Sequence, residues 1–347
     1  MMDSYFDDAV ALLRRLIATP SVSREETAAA DLIAAELRSY GFEPCREGNN
    51  VWAVCPDYDE RRPTLLLNAH LDTVRPVSSW TRDPFAPVTE GDHLYGLGAN
   101  DCGGGLVTLL QVFRRGVGGE ANLIFLATAE EEVSGQGGAR RVLKMLPRVD
   151  AAIVGEPTGM QPAIAERGLM VLDVTARGRS GHAARGEGVN AIYEAMADLE
   201  WLRTYRFERV SPLLGETHMQ VTQIEAGTQH NVVPDTCHMV VDVRTNELYN
   251  NREVYDEVAS HLSSEVKARS LDLNSSRISD DHPLVRRCVA MGLHPFGSPT
   301  LSDQSLMPWP SLKLGPGNSA RSHTADEYIC LSEIRQALDI YTQLLFP

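Results

Sequence analysis

The stretch Thr64-Leu65-Leu66-Leu67-Asn68-Ala69-His70-Leu71-Asp72-Thr73-Val74 decides the fold. A short apolar run leads into a histidine, and an aspartate follows two residues later. The run predicts a strand buried on both faces that ends where polar residues begin. In extended chain, His70 and Asp72 fall on the same side. That spacing suits a metal-bound imidazole with a carboxylate behind it to fix tautomer and aim. It equally suits a hydrogen-bonded polar pair at a strand end.

Around this strand the first part of the chain alternates helix and strand. Residues 5–18 carry Phe6, Val10, Leu13 and Ile17 at helical spacing, and Pro20 stops that helix. Ser23-Arg24-Glu25-Glu26 reads as a capping box, with Ser23 as N-cap and Glu26 at N3, and Gly41 ends the helix it opens. Residues 50–55, 64–71, 121–129 and 151–154 read as strands, with helices over 106–115 and 138–146. This order predicts an α/β fold: a mixed, mainly parallel sheet flanked by helices. After residue 163 the order becomes β-α-β-β-α-β, with helices over 188–204 and 251–265. That is the split arrangement of a ferredoxin-like α+β domain. The expected organisation is a catalytic domain of residues 1–165 and 277–347, with a domain of residues 166–276 inserted into it.

Composition narrows the function. The 347 residues carry a net charge of −15, which argues against a nucleic-acid partner because phosphate contact needs a basic face. Six scattered cysteines form no C-x-x-C pair, so neither a disulfide framework nor a thiolate zinc site is expected. Free thiols in a reducing cytoplasm fit better. The acidic N-terminus does not read as a signal peptide, and no apolar run approaches the ~20 residues of a membrane span.

Further acidic or imidazole groups lie beside strand ends. Asp101 sits in the glycine-rich turn Gly96-Leu97-Gly98-Ala99-Asn100-Asp101-Cys102-Gly103-Gly104-Gly105, where glycines allow close approach to an ion or substrate. Glu130-Glu131-Glu132 follows the strand that ends at Ala129. Three adjacent carboxylates repel unless a cation compensates them, or unless they simply face solvent. Glu156 follows another strand end, and His323 lies far along in Ser322-His323-Thr324-Ala325-Asp326-Glu327. The carboxyl ends of parallel strands open onto one side of an α/β sheet. His70, Asp101, Glu131, Glu132 and Glu156 therefore gather in one cleft. Imidazoles and carboxylates without a thiolate suit Zn2+, with Co2+ or Mn2+ as substitutes.

These motifs together resemble the zinc-dependent M20-type aminoacylase and exopeptidase family. That family includes acetylornithine deacetylase, succinyl-diaminopimelate desuccinylase and the glutamate-releasing carboxypeptidases. The resemblance rests on His70-Leu71-Asp72, Gly96-Leu97-Gly98 to Asp101, Glu131-Glu132, Gly155-Glu156-Pro157-Thr158 and Ser322-His323, in order across the chain. It implies two Zn2+ per subunit, one held by His70 and Glu156, the other by Glu132 and His323, with Asp101 between them. It implies Glu131 as general base and Asp72 as the group that orients His70. In the insert, Gly178-Arg179-Ser180-Gly181-His182 resembles the loop whose histidine reaches a partner subunit's site, which implies a homodimer through the inserted dimerisation or lid domain. Arg244 and Asn231 are implied as substrate contacts. Gly317, in Gly315-Pro316-Gly317, is implied to offer backbone N–H groups, although a plain turn fits that sequence as well. Cys102 departs from the family pattern and reads either as a packing residue or as a thiol near the metals.

Glu130-Glu131-Glu132-Val133-Ser134-Gly135, Gly181-His182-Ala183-Ala184-Arg185 and Ser298-Pro299-Thr300-Leu301-Ser302-Asp303-Gln304 bring the chain nearest to the acetylornithine deacetylase group, in its Bacteroides-type form. This implies a cytoplasmic enzyme of arginine biosynthesis that hydrolyses N-acetyl- or N-succinyl-L-ornithine. Arg185 or Arg321 could meet a succinyl carboxylate, and both could equally be surface arginines. A desuccinylase or dipeptidase of the same family is the alternative. A non-catalytic binding protein on this scaffold is the alternative of another class.

Overall fold

The structure, a computed structural model, describes residues 2–346. The chain divides into two compact units. One runs to Ile164 and resumes at Ile278–Phe296 and from Ser302; the other holds Ala165–Arg277 and Gly297–Leu301. Gly297–Leu301 thus joins the insert, beyond the boundary expected from sequence. Within that unit the Arg167 N–H donates to the Ser298 carbonyl at 3.2 Å.

The first unit opens with helices α1 (Met2–Ile17) and α2 (Thr27–Ser39), then strands β1 (Cys45–Glu47), β2 (Asn50–Val54), β3 (Thr64–His70), β4 (Val88–Glu90) and β5 (His93–Tyr95). Helix α3 (Gly104–Arg115), β6 (Asn122–Thr128), the short α4 (Ala139–Val142) and β7 (Ala151–Val154) follow, and β8 (Ala163–Glu166) runs across the boundary at Ile164. The second unit contains β9 (Met170–Arg177), α5 (Ala191–Thr204), β10 (His218–Ala226), β11 (Thr236–Arg244), α6 (Asn251–His261), β12 (Glu265–Ala268) and β13 (Ser276–Arg277). The chain finishes with α7 (Pro283–Ala290), β14 (Phe296–Ser298), β15 (Ser311–Lys313), β16 (Tyr328–Cys330) and α8 (Leu331–Leu345).

Strand β3 lies at the centre of a sheet ordered β1-β2-β6-β3-β7-β15-β8. It pairs in parallel with β6 on one side and β7 on the other, His70 standing opposite Thr128 and Asn68 opposite Val154. A strand covered on both faces needs an uninterrupted apolar run, and every residue of β3 is buried. The sheet is mixed because β1, β2 and β8 run antiparallel to their neighbours. Gly105, in the first turn of α3, serves packing. A Cβ on Gly105 would stand 1.7 Å from the Gly155 carbonyl oxygen, so only glycine lets α3 approach the end of β7.

The expected capping box at Ser23 does not form. Helix α2 begins at Thr27, its N-cap is Glu26, and no side chain caps it. Both residues have been drawn elsewhere. The buried Glu26 carboxylate accepts N–H bonds from Arg24 and Glu130. The Ser23 hydroxyl donates to Asp72 Oδ2 at 2.7 Å. Tertiary partners outcompete local capping here.

The second unit is the β-α-β-β-α-β sandwich expected from the sequence. Its antiparallel sheet has the order β10-β11-β9-β12, with Val174 opposite Met239 and Leu172 opposite Val241. The alternating burial of β9 turns Met170, Leu172, Val174 and Ala176 into a core shared with Ala195 and Leu202 of α5 and Val254 and Val258 of α6. Among the described residues no helix is long and apolar enough to cross a membrane.

Candidate metal centre

Three parallel strands deliver the site. Strand β3 ends at His70, β6 leads into the tight turn of Glu131 and Glu132, and β7 leads to Glu156. Adjacent strand ends bring these groups together, as expected for a parallel sheet. Two loops supply the rest: Asp101 before α3, through a cis Asp101–Cys102 peptide, and His323 before β16.

Asp101 stands between the two histidines. Its Oδ1 is 3.2 Å from His70 Nε2, and its Oδ2 is 3.7 Å from His323 Nε2. His70 Nε2 also lies 3.7 Å from Glu156 Oε1. His323 Nε2 lies 2.9 Å from Glu132 Oε2. The structure thus brings His70, Asp101, Glu132, Glu156 and His323 into one cluster, with Asp101 offering one oxygen to each half.

Burial and crowding of like charges shift the proton affinities of the cluster. Desolvation, then the Asp101 charge, pushes Glu156 up to about 8. The hydrogen bond to Glu132 carries His323 up to about 9. Desolvation raises Glu131 well above the carboxylate range, and Glu156, Asp303 and Glu132 add to it. Glu156 Oε1 is buried with no hydrogen-bond partner, which is costly for an isolated carboxylate oxygen. Five imidazole and carboxylate donors, one of them orphaned, fit divalent ions such as zinc, cobalt or manganese.

Asp72 meets His70 through its backbone carbonyl more closely than through its carboxylate. His70 Nδ1 meets the backbone carbonyl of Asp72 at 2.9 Å, while the carboxylate is 3.6 Å away. The carboxylate is committed to the acidic turn. It accepts the N–H groups of Glu131 at 3.1 Å and Glu132 at 3.2 Å, together with the Ser23 hydroxyl. Burial opposes its charge, but the neighbouring imidazole, Ser23 and the Glu131 N–H outweigh that and hold it below its usual range.

Cys102 is buried and its Sγ donates to the His70 carbonyl at 3.4 Å. Desolvation pushes the thiol up, which suits a packing residue, although a ligand atom each of Cys102, His70 and Glu156 lie within 4.8 Å of one another. Glu327 was missed by the sequence reading. It is buried and accepts backbone N–H groups from the Asp101 loop. Its acidic neighbour Asp326 and the absence of a local partner gave no signal for that role.

The implied substrate contacts are placed less favourably. Arg244 is held in a two-point pair with Asp242, at 2.8 and 3.0 Å, so its fork is already engaged. Arg321 forms the same kind of pair with Glu333 and lies over the Tyr328 ring. Gly317, at φ +91°, accepts the Gly159 N–H at 2.7 Å, and the Gly315 N–H is taken by Thr158 Oγ1. These bonds tie Gly315 and Gly317 to the Thr158–Gly159 segment. His182, Arg185 and Asn231 lie together in the insert on exposed loops, where Ala183 N–H donates to the Asn231 carbonyl at 3.1 Å. His182 Nδ1 accepts the Ala184 N–H at 3.2 Å.

Residues 66–346 match the model of peptidase family M20/M25/M40. The chain is 30% identical to an acetylornithine deacetylase of Pectobacterium atrosepticum, over 97% of this chain and 96% of that protein. It is 27% identical to a succinyl-diaminopimelate desuccinylase of Xylella fastidiosa, over 95% of this chain and 96% of that one. Its fold is similar to a dinuclear metal binding peptidase of family M20 from Bacillus subtilis, with a TM-score of 0.73 at 16% identity, covering 99% of this chain and 98% of that one. The chain therefore belongs to peptidase family M20/M25/M40, a family of metallohydrolases.

Proposed function

We propose that the chain is a metal-dependent amidohydrolase that cleaves an N-acyl amino acid, with N-acetyl- or N-succinyl-L-ornithine as the first candidates. The observation that carries this reading is the placement of Asp101, with one carboxylate oxygen toward His70 and the other toward His323. A carboxylate so divided suits two ions, one beside His70 and Glu156 and one beside Glu132 and His323. Bound there, such ions supply an acidified water and polarise the acyl oxygen.

The remaining work falls to the chain's own groups. Glu131 takes a proton from the attacking water and hands it to the leaving nitrogen as the C–N bond breaks. Burial and the neighbouring carboxylates raise its proton affinity, which favours its holding the proton between the two halves of that transfer. The water oxygen ends in the carboxylate product and the nitrogen leaves as the free amine. Because His182 Nδ1 accepts a backbone N–H, its proton sits on Nε2, the tautomer needed to donate to a developing oxyanion.

A homodimer through the insert belongs to this proposal. Strand β10 is an edge of its sheet, with Ile224 exposed, and α5 exposes Ile192, Tyr193 and Met196. An open sheet edge beside apolar side chains is a surface that a second copy would cover. The desuccinylase reading stays in view because relatives of both names match along nearly the whole chain. Specificity constants for N-acetyl-ornithine, N-succinyl-ornithine, N-succinyl-diaminopimelate and a dipeptide panel test the proposal. A preference for either acyl-ornithine supports it, and a preference for dipeptides overturns it.

A further inference from the structure

The buried Glu327 carboxylate has no part in the chemistry above, yet it is committed to one loop. It is 2% exposed. Its Oε1 accepts the N–H of Asn100 at 2.8 Å and of Asp101 at 3.0 Å, and its Oε2 accepts the N–H of Gly98 at 3.2 Å. Its backbone carbonyl takes the Gly96 N–H at 3.0 Å. The same loop is tied a second time to the segment before His323, because Asn100 Nδ2 donates to the Asn318 carbonyl and the Ser322 hydroxyl. Glu327 lies four residues beyond His323, so one side chain joins the two segments that bring Asp101 and His323 together.

A carboxylate is an expensive choice for holding a loop. It adds a buried negative group beside Asp101, and a neutral acceptor would avoid that repulsion. The choice makes sense where cations lie nearby and where the N–H groups must be held without slack.

We propose that Glu327 is a positioning residue for the bridging carboxylate: it clamps Gly98–Asp101 so that the two Asp101 oxygens face the two histidines. This rests on the dinuclear reading above. Outer-shell partners of metal ligands carry about 10–100-fold in metal affinity, and Glu327 acts at that distance through the Asp101 backbone. Glu327→Gln keeps the shape but turns an N–H2 donor against a backbone N–H donor, so the clamp loses at least one of its bonds.

The test compares the full-length wild type and Glu327→Gln, each stripped and titrated with Mn2+. Bound ions are counted by equilibrium dialysis, and spin coupling between them is read by electron paramagnetic resonance. The wild type is expected to bind two ions with exchange-coupled spins. Glu327→Gln is expected to weaken the second ion about 10–100-fold and to lose the coupling, and Glu327→Asp, too short to reach all three N–H groups, to behave like it. A Glu327→Gln protein with wild-type affinities and an intact coupled signal overturns the proposal. A wild type that binds one ion, or two uncoupled ions, overturns the dinuclear reading instead. Should both variants fail to fold, amide exchange in the metal-free wild type decides. Asn100 and Asp101 amides as slow as those of β3 support the clamp, and fast exchange there refutes it.

Discussion

Asp72 holds Glu131 by the backbone: the Glu131 N–H donates to Asp72 Oδ1 at 3.1 Å, while the next N–H, from Glu132, goes to Oδ2 at 3.2 Å. One buried carboxylate thus sets the turn that carries both the proposed base and a proposed metal ligand. Asp72→Asn replaces one of its oxygens with a donor that faces an N–H. The expected result is a fall of about 10–100-fold in both kcat/KM and metal affinity, read by kinetics and by metal titration. Wild-type values of both would show that Asp72 does not set that turn.

Glu131 stands beside the cluster but outside the two histidine-centred groups. Glu131→Ala is therefore expected to bind metal as the wild type does and to lose about 10²–10⁴-fold in kcat. Activity within a few-fold of wild type would show that another group moves the proton.

The strand-end residues were legible because the pattern that buries β3 also fixes where it stops, and parallel neighbours then bring distant carboxylates to one edge. The insert was legible from its element order. What stayed hidden depends on contacts between segments far apart in sequence. Ser23 abandons its cap for Asp72, and Glu327 reaches the Asp101 loop, neither of which any local pattern records. The Asp242–Arg244 pair is a different case. Two opposite charges at i and i+2 of a strand share a face, so this pairing was within reach of the same alternation rule that placed His70 and Asp72 together.

Metal uptake is expected to release protons. In the metal-free chain His323, at about 9, and Glu156, at about 8, are both protonated at neutral pH. A ligand must lose its proton to bind, so uptake expels protons from both and apparent affinity rises with pH until about 9. Calorimetric titration with zinc at neutral pH, in buffers of different ionisation enthalpy, should report more than one proton released per chain. Release of none would mean that these two groups do not ligate.

Dimerisation should be separable from folding. Ile224→Lys combined with Met196→Glu places charges on exposed positions of β10 and α5, where the folded chain has little to lose. Light scattering is expected to show a monomer, with the reduced kcat that the proposed role of His182 across the dimer requires. A fully active monomer would remove the role assigned to His182.

The centre of β3 is part of the first unit's core. Leu66 is fully buried between β6 and β7, so Leu66→Ala should cost about 2–5 kcal/mol in chemical denaturation. A loss well below that range would mean the sheet collapses around the gap.

Anomalous diffraction from zinc-loaded crystals tests the account most directly. The expected map has two peaks ~3.5–4 Å apart, one beside His70 and Glu156 and one beside Glu132 and His323, with an Asp101 oxygen on each. A single peak, or a pair that leaves Asp101 unshared, would contradict it.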